Sequence, residues 1–272
     1  MKRIIILAIP VLLLGMLVTG FAGYQLYETM QVYQEADTTY ENLSNQVKRN
    51  TAVDIPKLHT LELAANEVIP PREEEEIRIY IPEFEIDFDL LRKINNDSVA
   101  WLYSPGTVID YPVMKADDYD YYLNHLSDGT VNSNGSLFID YNNAPDFSDE
   151  LTVIYGHHMK SGSMFGSLVE YKEQRHFDEH PYMYLYTENG NYRIDLMYGS
   201  VIGAGEWRKN AFMYQENLEA LLSYTMKNTT FISDVNYQNG DRIVVLSTCS
   251  YEFDNARYFV VGRLTPQFPN YS

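Results

Sequence analysis

Cys249 is the only cysteine in a chain of 272 residues. It closes an apolar run, Val244-Val245-Leu246-Ser247-Thr248-Cys249, and Arg257 follows at the start of the next apolar run. A lone thiol has two readings. Free cysteine is among the most buried residue types and behaves as a small hydrophobe, whereas its thiolate is a strong nucleophile. Thiols are mostly protonated at neutral pH, with an ordinary pKa of about 8.5, so nucleophilic use calls for a histidine close by.

Six histidines are available: His59, His125, His157, His158, His176 and His180. His59 falls in a polar N-terminal stretch, His176 and His180 in a charged stretch that reads as surface, and His125 just before Ser127-Asp128-Gly129. His157 and His158 differ in kind. They follow Gly156 at the end of the strand-like run Leu151–Tyr155, with Lys160-Ser161-Gly162-Ser163 behind them. A strand end opening into a loop is where reactive side chains are commonly mounted on a rigid scaffold. Arg257 could hold a peptide carbonyl or stabilise an oxyanion. Paired with Glu252 or Asp254 it would instead be structural.

The N-terminus sets the compartment. Lys2 and Arg3 precede an uncharged run from Ile4 to Tyr27, long enough to cross a hydrocarbon core of about 30 Å at ~1.5 Å per helical residue. The positive-inside rule then puts the body of the chain outside the cell, with Tyr24 and Tyr27 suited to the outer interface. A cleaved signal peptide, with Gly20, Ala22 and Gly23 near the cut, is the competing reading; the length of the run favours an uncleaved anchor. An exported chain with one cysteine has no internal disulfide, and a thiol kept in an oxidising compartment is either paired with another chain or kept for its reactivity.

Composition narrows the partners. There are 38 acidic residues against 20 Lys plus Arg, a net charge of −18, which argues against nucleic acid or an anionic membrane surface. No metal-ligand spacing is evident, and no cofactor is expected.

These residues need a scaffold to bring them together. The sequence divides into a short cytoplasmic end and anchor at 1–27, an extracellular stalk with a possible N-terminal helix at 28–80, and a globular domain at 81–272. Pro70-Pro71 stops any stalk helix, and Glu73–Glu76 reads as a solvated linker. In the globular part Phe88, Leu90, Leu91 and Ile94 recur at helical spacing, and residues 117–125 are a candidate helix. Strand-like runs occupy 98–103, 107–113, 136–141, 151–155, 182–186, 192–201, 242–247 and 257–264, with a helix over 217–226 in the insertion before the seventh. Eight short strands with few helices predict a closed barrel or a sandwich.

The motifs, taken in order, resemble the sortase family, and within it the class B enzymes. The family's Thr-Leu-x-Thr-Cys is matched by Val245-Leu246-Ser247-Thr248-Cys249, one β-branched residue replacing another. Ile154-Tyr155-Gly156-His157-His158-Met159 matches the glycine-histidine strand end and continues into Ser161-Gly162-Ser163-Met164-Phe165. Upstream, residues 104–113, Tyr121-Tyr122-Leu123 and residues 135–141 match class B stretches, so that the resemblance spans about residues 86–265. One position departs. Class B members often carry an asparagine four residues before the leucine of Tyr-Tyr-Leu, and this chain has Tyr119 there, so the preference for a sorting motif does not carry over.

The resemblance implies a mostly β fold: an eight-stranded sortase β-barrel with short peripheral helices, preceded by a transmembrane helix. It also implies a cysteine transpeptidase. Cys249 would attack the threonine carbonyl of a sorting motif near the C-terminus of a secreted protein, giving a thioester. His157 would protonate the leaving amine and deprotonate the incoming one, and Arg257 would hold the substrate backbone and the oxyanion. Leu123, Ser247 and Thr248 are the implied substrate-binding residues, and His158 has no assigned role. The implied acceptor is a peptidoglycan amine at a Gram-positive-type cell surface, or a pilin lysine. A membrane-tethered binding module with an inert Cys249 is the non-enzymatic alternative. At pH 7 about 3 % of ordinary thiols are ionised and about a quarter of ordinary imidazoles are protonated, so an uncoupled pair is in its active form under ~1 % of the time and a slow enzyme is expected.

Overall fold

A computed structural model describes residues 2–50, 84–212, 214–250 and 252–267, with side chains from Leu12 onward in the first helix. His59, the Pro70-Pro71 break, the Glu73–Glu76 run and part of the expected domain boundary lie outside the described residues.

The chain begins with a single helix, α1 (Lys2–Val47), followed by β1 (Lys48–Asn50), which pairs antiparallel with β2 (Phe84–Ile86). After α2 (Phe88–Ile94) come β3 (Ser98–Tyr103), β4 (Asp110–Met114), β5 (Leu137–Ile139) and β6 (Leu151–Tyr155). A 3-10 stretch, Phe165–Lys172, and α3 (Gln174–Glu179) lead to β7 (Tyr182–Thr187) and the long β8 (Gly190–Gly203). The insertion holds α4 (Ala204–Lys209) and α5 (Leu218–Asn228), and the chain closes with β9 (Ile243–Ser250) and β10 (Ala256–Gln267).

Strands β3 to β10 form a closed barrel of eight in the order β10-β8-β7-β3-β4-β5-β6-β9. Two neighbouring pairs, β4 with β5 and β6 with β9, run parallel, and the others antiparallel. Closure leaves no unpaired edge. The barrel expected from eight short strands is therefore present, with each strand near its expected range.

Alternation along the strands builds two apolar layers. Every barrel strand contributes to one buried cluster, including Leu102, Val113, Ile154, Leu196, Leu246 and Val260, which fills the interior. The other parity, with Phe138, Val153, Val245 and Phe259, faces outward under Trp207 of α4 and Leu221 of α5. A third cluster docks the N-terminal segment, with Leu43 and Val47 of α1 against Trp101 and Tyr186.

The segment after Tyr27 is helical, continuing α1 without a break and packing Ala36, Tyr40, Leu43 and Val47 against the barrel. Between Leu12 and Met30 the same helix is exposed and largely apolar. Among the described residues no helix is long and apolar enough to cross a membrane; the run expected to do so starts at Ile4, ahead of the described side chains. Residues 117–125 give only a short 3-10 turn, Tyr121–Leu123. His176 and His180 are not a free surface pair: His176 is mostly buried, its ring 4.7 Å from that of His180.

Candidate active site

The barrel register assembles the site. In the antiparallel β9/β10 pair Arg257 stands directly opposite Cys249, Phe259 opposite Ser247 and Val261 opposite Val245. Directly opposed residues share a face, so the thiol and the guanidinium project from the same, outer side of the barrel. On the other flank of β9, β6 runs parallel with Tyr155 level with Ser247. The Gly156 N–H continues this pairing by donating to the Ser247 carbonyl at 3.1 Å. Two residues further along both chains, His157 comes level with Cys249. Arg257, Cys249 and His157 thus form one row across three adjacent strand ends, with neighbouring strands about 4.8 Å apart.

Cys249 is exposed, unlike the other residues of its strand, so the thiol is open to a substrate. His157 is half-buried, and its Nε2 lies 2.8 Å from the Leu123 carbonyl. A carbonyl only accepts, so Nε2 carries the hydrogen and Nδ1 is the basic nitrogen of the neutral ring. Gly156 lets two side chains pack directly on the strand end: a Cβ on it would come within 2.5 Å of Leu137 Cδ2 and 2.6 Å of Phe165 Cδ2. His158 donates from Nδ1 to the Cys249 carbonyl at 2.8 Å, tying the histidine loop to the end of the cysteine strand.

Arg257 is partly exposed, and among the described residues no carboxylate pairs with it. Glu252, a candidate partner by sequence, is taken instead by Lys172 and the Ser250 hydroxyl. That clasp anchors the hairpin after Cys249 to the 3-10 stretch and leaves the guanidinium available.

The implied substrate residues separate. Ser247 lies on the outer face between Phe259 and Tyr155, is 1 % exposed, and its hydroxyl has no hydrogen-bond partner among the described residues. Leu123 borders the same face and presents its carbonyl to His157. Thr248 points the other way: its hydroxyl is buried and donates to the Gly156 carbonyl at 2.8 Å, fastening β9 to the start of the histidine loop.

One feature beside the row is not marked as part of a site by the sequence. Asp140, 1 % exposed, accepts hydrogen bonds from the Tyr119 and Tyr155 hydroxyls at 2.9 and 3.0 Å and from the backbone and side chain of Asn142. Burial raises the Tyr155 hydroxyl above the ordinary phenol range and Asp140 adds to the rise, while the nearby charge of Arg257 opposes it. Tyr119, the position that departs from class B usage, is thus part of a tyrosine-carboxylate cluster next to the site. In the sequence, Asp140 reads only as the end of the strand-like run 136–141, with Asn142 and Asn143 as turn residues behind it, which gives no sign of this contact. No group of acidic, histidine or cysteine side chains suited to a metal occurs among the described residues.

The sortase family model matches residues 102–265, more than half of the chain, and the chain belongs to the sortase family. Its relatives place it among the class B enzymes. Sortase B of Listeria monocytogenes is 34 % identical over 178 residues, 64 % of this chain and 72 % of that one. Among solved structures, a Staphylococcus aureus sortase B-substrate complex superposes with a TM-score of 0.60 at 28 % identity, over 66 % of this chain and 84 % of that one. A Streptococcus pyogenes class B sortase involved in pilus biogenesis gives the same TM-score and identity, over 66 % of this chain and 98 % of that one.

Proposed function

We propose that this chain is a membrane-anchored cysteine transpeptidase that joins secreted proteins carrying a C-terminal sorting motif to an amine at the cell surface. The observation that carries the proposal is the row Arg257–Cys249–His157, with an exposed thiol, a histidine whose Nε2 lies 2.8 Å from the Leu123 carbonyl and a guanidinium that meets no carboxylate among the described residues. The Cys249 thiolate attacks the threonine carbonyl carbon, and its oxygen takes the negative charge. Arg257 N–H groups donate to that oxygen. Collapse breaks the C–N bond, and the leaving amine takes a proton from His157 Nδ1, leaving a thioester. An incoming amine attacks the thioester, His157 Nδ1 takes its proton, and the thiolate is released.

In this reading residues 1–27 are the cytoplasmic end and anchor, 28–80 connect, and 81–272 form the catalytic domain on the extracellular face. The exposed apolar face of α1 from Leu12 to Met30 supports the anchor. The acceptor is a peptidoglycan amine; the likeness to the pilus-associated class B sortase favours a pilin lysine as the second reading. The test incubates the full chain in detergent with a library of sorting-motif peptides and weighs the protein. A Cys249 thioester, transferred afterwards to a wall-type amine or to a lysine peptide, supports the reading and distinguishes the two acceptors. No adduct with any peptide overturns it.

A further inference from the structure

The parts that seat His157 are themselves held by α1, which lies outside the residues that the family model matches. On one flank, the turn 132–136 packs beneath the ring. Gly135 has φ +60°, and a Cβ there would come within 2.9 Å of the Leu123 carbonyl oxygen and 3.0 Å of His157 Cδ2. The Tyr40 hydroxyl donates to the Gly135 carbonyl at 2.6 Å and lies 2.9 Å from the Ser136 hydroxyl, while the Ser136 N–H donates to the Tyr122 carbonyl. The same turn grips the helix from the other direction, with Asn132 and Asn134 donating to the Val32 carbonyl at 3.0 and 3.2 Å.

On the other flank, the Tyr40 ring meets Tyr111 edge-on with centroids 5.2 Å apart. The Tyr111 hydroxyl accepts from the Met164 N–H at 3.2 Å, and Met164 pairs across the loop with His158. The next residue, Phe165, donates its N–H to the His157 carbonyl at 3.1 Å. A single side chain of α1 therefore underlies both sides of the histidine loop.

Packing alone does not account for this. Ala36, Leu43 and Val47 already bury the helix face, and a phenylalanine at position 40 would fill the same space. The hydroxyl is what reaches the turn. Burial holds it above the ordinary phenol range, so it remains a hydrogen-bond donor.

We propose that α1 positions the proton-transfer group of the site, with Tyr40 a positioning residue that fixes His157 through the 132–136 turn and the Leu123 carbonyl. This rests on His157 being that group. The anchor helix and the catalytic histidine would then be parts of one rigid assembly, and a barrel lacking α1 would be impaired although it contains the whole row of site residues.

The test uses the full chain in detergent with 15N-labelled histidine. In the parent protein the long-range nitrogen spectrum should show His157 as one tautomer, hydrogen on Nε2. Tyr40→Phe should give a mixture of tautomers. It should also lower kcat for peptide transfer about tenfold with KM within about twofold, less than the ~10²-fold that a 1 Å misplacement costs. Ser136→Ala, at the same junction, should shift the spectrum in the same direction. Val47→Ala loosens α1 at the third cluster, away from the turn, and should lower thermal stability while leaving the tautomer alone. An unchanged His157 signal in Tyr40→Phe overturns the inference even if kcat falls, as does an equal disturbance by Val47→Ala. The underlying reading is tested separately: turnover surviving in His157→Gln would dismiss His157 as the acid-base group without bearing on whether Tyr40 holds it.

Discussion

Strand register sets Arg257 opposite Cys249, and among the described residues no carboxylate pairs with it; in the proposed mechanism its guanidinium serves an oxyanion as that charge develops. A planar fork of N–H donors and a point-charge ammonium differ in this role. Arg257→Lys should therefore lower kcat by roughly 10²- to 10³-fold, the usual cost of losing one oxyanion donor. Alkylation of Cys249 by iodoacetamide creates no oxyanion, so its rate should stay within about twofold of the parent. A parallel loss in both would assign Arg257 to thiol activation instead. A second residue-scale prediction concerns His176. Burial pushes its imidazole below the ordinary range; the neighbouring His180 acts in the same direction, while Glu170 and Glu179 oppose. The unfolded chain then binds the proton more readily, so stability rises with pH. This contribution is complete above the unfolded value of about 6.5 and is lost as pH falls from there through the lower folded value. The melting temperature should drop from pH 7 to pH 5, and His176→Gln should flatten that slope. Equal slopes in the two proteins would remove His176 as a cause.

Among the elements, the turn 132–136 carries the most site geometry for its length. Gly135→Ala places a Cβ 2.5 Å from the Tyr122 carbonyl oxygen at a left-handed backbone position. Strain of this kind costs about 1–3 kcal/mol, a fall in Tm of roughly 2–10 °C for a domain of this size, and His157 should be displaced with it. Thermal unfolding and peptide turnover check both, and a variant as stable and active as the parent would show that the seat yields. The elements differed in how plainly the sequence announced them. Leu151–Tyr155 is bounded by Glu150 and Gly156 and reads as the strand that forms. In Ile243–Ser250, Val244 and Leu246 fill the barrel while Ile243 and Val245 face out, an unbroken apolar run because both faces are covered. Lys48–Asn50 and Phe84–Ile86 are too short to carry a period and pair across a long separation, so β1 and β2 were not visible. The 3-10 stretch Phe165–Lys172 lacks a 3.6-residue stripe for the same reason of geometry. Cys249 stood out through residue type and strand-end position, whereas His157 rather than His158, and Arg257 as more than a structural cation, were picked out by the resemblance to the sortase motifs. Asp140 and Tyr40 did not stand out, because their roles arise from contacts between segments distant in sequence.

At the scale of the whole molecule, the continuity of α1 bears on how the barrel meets its substrates. The expected membrane run ends at Tyr27, and the barrel already bonds the helix at Val32. The gap of five residues is about 7.5 Å of helix, so no flexible stalk intervenes on this side of the barrel. Under the proposed function, an enzyme expected to be slow would gain from being held at a fixed height beside anchored partners, since a tether raises effective concentration only when its length suits the span. Inserting a flexible Gly-Ser segment of about ten residues after Met30 would break the continuity and let the barrel wander by roughly 5–6 Å times the square root of the added length. The lone cysteine provides the reporter: a fluorophore on Cys249 should transfer energy to acceptors in the vesicle surface efficiently in the parent chain and less so after the insertion. In unlabelled protein the turnover of a soluble peptide should stay within about twofold, because α1 from Val32 onward still seats His157, whereas transfer to an amine displayed on lipid headgroups should fall toward the value for free components in solution. Energy transfer and headgroup coupling that are both unaffected by the insertion would show that the helix does not set the height of the site.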